Sequence, residues 1–323
     1  MSPMVRIALV ILALQIPFGA HAQQPYPAKP IRMLIPSPPG GGTDTLGRVL
    51  QQGLQEQWGQ PVVMDNRGGA NGQIAGAAVA KAQPDGYTLF FTYGGLLVAA
   101  LPLYGKLPYD PMRDFTPVAM FAHVPGILVA HPSFPARTVS EIIKMAKAKP
   151  GALTHGTSSI GSSSHMNMAL FKQMAGIDML QVTYQGDNPA LVALLGGHVP
   201  FGFSNAVAAL PHIQSGKLRP IAVATAKRIA VLPDIPSVAE SGLPGFEALL
   251  FYALMAPPKL PPALVGKLHA ATTQIKQMPT VRQRLGALGA EPFDMSVESM
   301  PAYLQSELQK WTRVVKAAGI KPE

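Results

Sequence analysis

The sequence predicts an α/β protein of two lobes, each a mainly parallel sheet flanked by helices, and three observations carry that expectation. Short apolar runs of strand character alternate with longer segments of helical period along most of the chain. The turns leading from strand to helix are rich in glycine, proline or serine, as β-α-β units require. About 300 residues follow an N-terminal leader, more than one compact core usually holds, so two lobes are the expected division.

The leader begins with Arg6 ahead of an apolar run over 7–18, which Gln15 and Pro17 interrupt, and Ala20-His21-Ala22 supplies small residues before Gln23. Residues 1–22 therefore read as a secretory signal peptide. A membrane helix would need about 20 apolar residues and would not break at Pro17. The first strand covers 31–35 and runs into Pro36-Ser37-Pro38-Pro39-Gly40-Gly41-Gly42-Thr43-Asp44. Leu46, Val49, Leu50, Gly53 and Leu54 then recur at helical spacing, so a helix over 43–58 starts where Thr43 or Asp44 can cap it. A strand at 62–65, a helix at 75–81 and a strand at 87–92 complete one parallel half-sheet.

Strands at 118–121 and 127–130 follow, then a helix at 140–148 that Pro150-Gly151 ends. The second lobe repeats the plan of the first. A strand at 154–157 enters the polar turn Ser158-Ser159-Ile160-Gly161-Ser162-Ser163-Ser164 and a helix carrying Met166, Leu170, Phe171 and Met174. A strand at 181–184 leads through Gly186-Asp187-Asn188 to Pro189, read as the first helical residue, and a helix at 190–195. Strands at 199–203, ending toward Ser204-Asn205, and at 220–225 carry the chain back to the first lobe. A strand at 252–256 and two helices, 262–276 and 300–317, finish it. The expected division is lobe 1 from 23–124 plus 226–323, with 125–225 inserted as lobe 2.

Composition narrows the function. The chain is 48% hydrophobic and 13% charged with a net charge of +9, and the leader contributes only Arg6 to that balance. Cysteine is absent, which removes disulfides and thiolate chemistry. Lysine and arginine are dispersed, without the basic and aromatic stripe that nucleic acid requires, so no nucleic-acid partner is expected. Basicity here accords with small acidic ligands or with solubility alone. The triple glycine at 40–42 uncovers the backbone, so free N–H groups and the positive end of the following helix can face a carboxylate or phosphate. A tight strand-to-helix turn is the plainer use of the same glycines.

Catalytic patterns are weak. Ser164-His165 are chain neighbours rather than facing groups, and Gly156-Thr157-Ser158-Ser159-Ile160 lacks the second glycine of a nucleophile elbow. His165 reads instead as packing or capping the serine turn. No histidine spacing matches a metal site. Thr45 stands where G-x-G-x-x-G needs its last glycine, and no G-K-[ST] follows a glycine loop, so no catalytic residue, metal or cofactor is expected.

Several motifs in fixed order carry a resemblance: Pro38-Pro39-Gly40-Gly41 through Thr43-Asp44, Asp65-Asn66-Arg67, and Ala80-Lys81-Ala82-Gln83-Pro84-Asp85-Gly86-Tyr87. The order continues with Gly156-Thr157-Ser158, Ser163-Ser164-His165, Tyr184-Gln185-Gly186-Asp187-Asn188-Pro189 and Leu194-Leu195-Gly196-Gly197. Leu232-Pro233-Asp234-Ile235-Pro236 and the tail from Trp311 to Lys321 close it. In these the chain resembles the extracytoplasmic solute-receptor family of tripartite tricarboxylate transport systems, also called the Bordetella uptake family, over essentially its whole mature length.

The resemblance implies a periplasmic binding protein fold, type II-like, with the ligand cleft between its lobes. It implies capture of a small di-, tri- or aromatic carboxylate and delivery to membrane permease subunits by a monomer. Pro39, Gly40, Gly41, Thr43 and Asp44 would line one wall, and Thr157, Ser158, Ser163 and Ser164 the other. Tyr184, Gly186, Asp187, Pro189 and Asn205 would form the rim, with Asn205 standing where many relatives place an acidic residue. On the residues alone, Asp44 equally reads as a helix cap and the serines as turn residues. Phe90, Phe91, Tyr93, Phe201 and Phe203 read as strand core. Carboxylate sensing for a membrane kinase is the alternative function, with a secreted hydrolase behind it.

Overall fold

The computed structural model describes residues 26–184 and 186–321, so the expected leader at 1–22 lies outside the described residues. In the first sheet β1 (Ile31–Ile35) lies between β2 (Val62–Asn66) and β3 (Thr88–Tyr93) and runs parallel to both. The chain then forms β4 (Thr116–Val124) and enters the second sheet as β5 (Gly126–Ala130). There β6 (Thr154–Thr157) lies between β7 (Leu180–Thr183) and β8 (Phe201–Asn205), again parallel to both, and β9 (Arg219–Val223) forms an edge. Return to the first sheet brings β10 (Leu250–Ala256) between β3 and β4, with β11 (Glu291–Pro292) outside β4.

The two sheets share one plan: a parallel trio, then an antiparallel strand arriving from the other sheet, then one outer strand in the second sheet and two in the first. β10 is antiparallel to β3 and β4, and β5 to β8 and β9. The expected α/β architecture with two sheets is therefore present, but the sheets are mixed rather than mainly parallel. A strand that crosses directly between the sheets, without a helical crossover, enters its new sheet against the direction of the trio.

Local sequence explains the elements that position the site. Helix Gly42–Trp58 buries Leu46, Val49, Leu50, Gly53 and Leu54, the residues of the helical period, and Gly59 ends it in the left-handed conformation. Helix Val139–Ala148 starts with a capping box between Thr138 and Glu141. The serine turn ends in helix Ser163–Ala175, whose N-cap Ser162 accepts from the His165 N–H. Pro189 sits third in helix Asp187–Leu195 rather than first. The first three helical N–H groups have no intrahelical partner, so the position tolerates proline equally well.

Among helical segments longer than one turn, those not expected from the sequence are a π-helical turn Gly95–Ala99 continuing as Ala100–Tyr104, a helix Ala206–Gln214, and a helix Pro279–Ala287. Two backbone crossings join the sheets, and they are bonded to one another. The Ala224 N–H donates to Gly126 O at 2.7 Å, and the Ala248 N–H to Ala224 O at 2.9 Å. Helix Met300–Ala318 packs against both Ala100–Tyr104 and Ser163–Ala175, so it touches elements of the two sheets. Buried Lys276 pins helix Pro262–Gln277 to the first sheet, donating to Met120 O at 2.9 Å and to Asp294 at 2.7 Å.

Candidate ligand-binding site

The loops following β1, β3, β6, β7 and β8 converge on one cavity of about 790 Å³ between the sheets. That is the edge at which open α/β sheets bind ligands, and the volume falls in the range of about 300–1,000 Å³ usual for small-molecule sites. Four helices begin on its wall, at Gly42, Ser163, Asp187 and Ala206 or one residue beyond. Side-chain caps serve two of them: Ser162 accepts from His165, and Asn205 accepts from the Ala208 N–H at 2.9 Å. The helices starting at Gly42 and Asp187 have no side-chain cap, which leaves their first-turn N–H groups to a ligand or water.

At the turn from β1 into its helix, glycine is favoured by backbone conformation at 40 and leaves close space at 42. Gly40 has φ of +82°, and a Cβ on Gly42 would stand 3.2 Å from the Tyr252 hydroxyl. Tyr252 is 5% exposed and its hydroxyl sits on the cavity wall beside the uncapped helix end. Burial raises its phenol pKa, and neighbouring Tyr93 and Asp187 raise it further, so it remains a hydrogen-bond donor. Tyr93 likewise faces the cavity, with its pKa pushed up to about 12 by burial and by Tyr104.

Of the residues expected at the site, Gly40, Gly41, Thr43 and Ser163 line the cavity, as do Gly186, Asp187, Pro189 and Asn205. Pro39, Asp44 and Tyr184 stand outside its lining, together with Thr157, Ser158 and Ser164. Asp44 is 2% exposed and accepts from the Gly40 N–H at 2.9 Å, the Asn66 amide at 2.9 Å and the Arg48 guanidinium at 2.9 Å. Burial pushes its pKa up, but these hydrogen bonds outweigh it and hold Asp44 below the ordinary value. Its role here is to shape the glycine loop.

The Ser164 Oγ is enclosed in a similar way, 2.7 Å from Ser158 Oγ and 3.0 Å from the Ser158 N–H that donates to it. Thr157 and Ser162 hydroxyls stand 3.3 and 3.1 Å from the same oxygen. His165 Nδ1 accepts from the Gly161 N–H at 2.9 Å and so fixes the serine turn, the packing role read from the sequence. Its pKa is lowered to about 4 by burial and by Lys172, which keeps that nitrogen free to accept.

Sequence reasoning did not single out Asn71, Leu103, Tyr104, Asn167 or Trp311 on the wall, and it assigned Tyr93 to the core. Tyr93 ends β3 and Gly94-Gly95 follow it, so the rule that ligands meet strand C-termini would have found them. Trp311 lies on the last helix and has no such signal. Phe90, Phe91, Phe201 and Phe203 are core residues, as expected.

No lysine, arginine or histidine lines the cavity among the described residues, and Asp187 is its one charged side chain. Neutral donors at helix ends are thus what the cavity offers to an anion. Fold and cavity together define a two-lobe α/β solute-binding protein. The family profile described as "Tripartite tricarboxylate transporter family receptor" matches residues 46–320. Protein BugT of Bordetella pertussis is 37% identical over 297 residues, covering 92% of this chain and 91% of that one. The structure of R. palustris Rpa4515 with adipate is similar with a TM-score of 0.80 at 36% identity, over 92% of this chain and 100% of that one. MatC from Rhodopseudomonas palustris with bound malate gives a TM-score of 0.75 at 34% identity, over 90% and 100%. This chain belongs to the tripartite tricarboxylate transporter receptor family, a family of solute-binding receptors rather than enzymes.

Proposed function

We propose that this protein works in the periplasm, captures a small organic carboxylate between its lobes without chemical turnover, and delivers it to membrane permease subunits. The observation that carries the reading is the convergence of uncapped helix N-termini and the Tyr252 hydroxyl on a cavity with no cationic side chain among the described residues. The adipate and malate found in two relatives agree with an acid as ligand. In this reading 1–22 is removed on export, and the lobe formed by 23–124 plus 226–323 closes on the inserted lobe 125–225. Gly40, Gly41 and Thr43 hold one end of the acid from the first lobe, and Ser163, Gly186 and Asn205 offer contacts from the second.

The magnitudes suffice. Hydrogen bonds to a charged group contribute about 1.5–3 kcal/mol each and a helix end about 0.3–1 kcal/mol. A few of these against ordering costs reach the roughly −8 kcal/mol of micromolar affinity. Closure follows if the acid binds the closed arrangement better than the open one. Apolar wall residues such as Leu96, Leu103, Ile160 and Met166 suit a hydrocarbon or aromatic spacer between polar ends.

A thermal-shift screen of the purified mature protein against aliphatic and aromatic mono-, di- and tricarboxylates tests the proposal. Saturable stabilisation by one acid class is expected, about 2.7 kcal/mol at a hundredfold excess over Kd. The absence of any shift across the series, in folded and ligand-free protein, would overturn it.

A further inference from the structure

Four consecutive residues beside the cavity hold the left-handed region of the backbone. Gly69 and Gly72, with φ of +103° and +89°, adopt it readily, but Ala70 and Asn71 between them stand at +45° and +52°. A side chain in that region costs free energy, less for asparagine than for other residues. Ala70 and Asn71 are both exposed, so no core packing of their own offsets the strain. Glycine at 71 would hold the same turn unstrained. What asparagine adds is a side chain on the cavity wall.

That side chain meets the other irregular stretch of the wall, the π-helical turn Gly95–Ala99 and the helix Ala100–Tyr104 that continues it. The two stretches are packed together, since a Cβ on Gly72 would stand 2.6 Å from Leu96 Cδ1. The Asn71 amide donates to the Tyr104 hydroxyl, and the Tyr93 hydroxyl donates to Asn71 O at 3.3 Å. Leu103, one residue before Tyr104, packs so closely on Gly161 of the serine turn that a Cβ there would collide with it. Tyr104 therefore stands where the wall of the first sheet approaches the second. Asn71, Tyr93 and Tyr104 all line the cavity.

These hydrogen bonds give the two tyrosines opposite roles, because a phenol has a single proton to donate. Tyr93 commits its proton to Asn71 O and offers the cavity only lone pairs. Tyr104 accepts from Asn71, and among the described residues no protein group accepts the Tyr104 proton in turn. An anion on this side of the cavity meets a donor at Tyr104 and none at Tyr93. In a reading that rests on carboxylate capture, we infer that Tyr104 contacts the bound acid as a hydrogen-bond donor and that Asn71 is the positioning residue that makes it one. The strained turn aims the Asn71 amide at Tyr104, and the amide leaves the phenol proton to the cavity.

Calorimetric titration of succinate, malate, adipate, citrate and terephthalate into wild type selects the acid of the five that binds most tightly. That acid is then titrated into Tyr104→Phe, Asn71→Gly and the double variant. Tyr104→Phe keeps the ring and removes the proton, whereas Asn71→Gly keeps the left-handed turn and its carbonyl and removes the amide. Tyr104→Phe is expected to weaken binding about tenfold, as loss of one hydrogen bond to a charged group does, and Asn71→Gly about threefold. The double variant is expected to bind no more weakly than Tyr104→Phe alone, because the amide acts only through the phenol. Relief of strain in Asn71→Gly offsets the added freedom of its unfolded chain, so affinity falls at a melting temperature no lower than that of wild type. A merely structural role would not produce that split. Unchanged affinity in Tyr104→Phe, unchanged affinity in Asn71→Gly, or losses that add in the double variant would each overturn the inference while leaving carboxylate capture standing. Binding of none of the five acids to wild type would overturn both.

Discussion

Asp44 serves the glycine loop rather than touching the cavity, and that distinction is decided by atoms the sequence does not place. The motif Pro39-Gly40-Gly41-Gly42-Thr43-Asp44 reads equally as a ligand wall or as a capped turn. The structure turns the Asp44 carboxylate inward to the Gly40 N–H, Asn66 and Arg48 and leaves Gly41 and Gly42 on the cavity wall. Asp44→Asn keeps the volume but loses the charge that these donors share, so a loss of about 1–3 kcal/mol of stability is expected in urea unfolding at pH 7. The sign with pH follows from the depressed pKa of Asp44 in the folded protein. Its contribution is complete above the ordinary carboxylate range and is lost as pH falls through the depressed folded value, so wild type and variant converge in stability in acid. At this scale the residues legible in the sequence were those on strand-to-helix loops, such as Gly40, Ser163 and Gly186. Trp311 was not, because an aromatic within a helix has the same local pattern whether it faces core or cavity, while Tyr93 at the end of β3 was read as core although its place at a strand C-terminus marks it.

Strand β6 and the helix after it hold two buried histidines that set how the second sheet responds to acid. Both ring nitrogens of His155 are buried without a partner, and burial, then Lys172, lowers its pKa to about 4. His165 is lowered to about 4 in the same way while accepting from Gly161. The unfolded chain takes up these protons near the ordinary histidine value, whereas the folded protein resists until about pH 4. Stability is therefore complete above pH 6.5 and falls between 6.5 and 4, by up to about 1.4 kcal/mol per pH unit for each histidine. Urea unfolding at pH 7.0 and 5.0 measures this, and His155→Phe is expected to reduce the difference; equal stability at the two pH values would count against it. Most elements were legible from period and turn chemistry, with β1 and β6 matching their expected residues and helix Gly42–Trp58 starting one residue early. Helix Ala206–Gln214 was hidden by Pro211 within it, and helix Pro279–Ala287 opens on a proline that reads as part of a turn, although proline is also common in a first helical turn.

On the scale of the whole molecule, two sheets of similar plan face each other across the cavity, and the chain passes between them at the mutually bonded crossings near Gly126, Ala224 and Ala248. Size and the repeated strand-to-helix plan made the two-sheet architecture legible; the antiparallel insertions were not, since local pattern carries no strand direction. Helix Met300–Ala318 lies against elements of both sheets and puts Trp311 on the cavity wall, its indole N–H donating to buried Glu307 at 3.1 Å. The other tryptophan, Trp58, packs edge-on against Tyr26 away from the cavity. Intrinsic fluorescence should therefore change on ligand binding, and Trp311→Phe should abolish that change while Trp58→Phe retains it. The central claim is that backbone donors at the start of helix Gly42–Trp58 hold the acid, and calorimetric titration of the best-bound carboxylate into wild type and Gly42→Ala tests it most directly. The added methyl group meets the Tyr252 hydroxyl at 3.2 Å and crowds the donors without requiring a forbidden backbone conformation. An affinity about tenfold weaker at an unchanged melting temperature, roughly the contribution of one charge-assisted hydrogen bond, is the predicted result. Equal affinity in the two proteins would contradict the account.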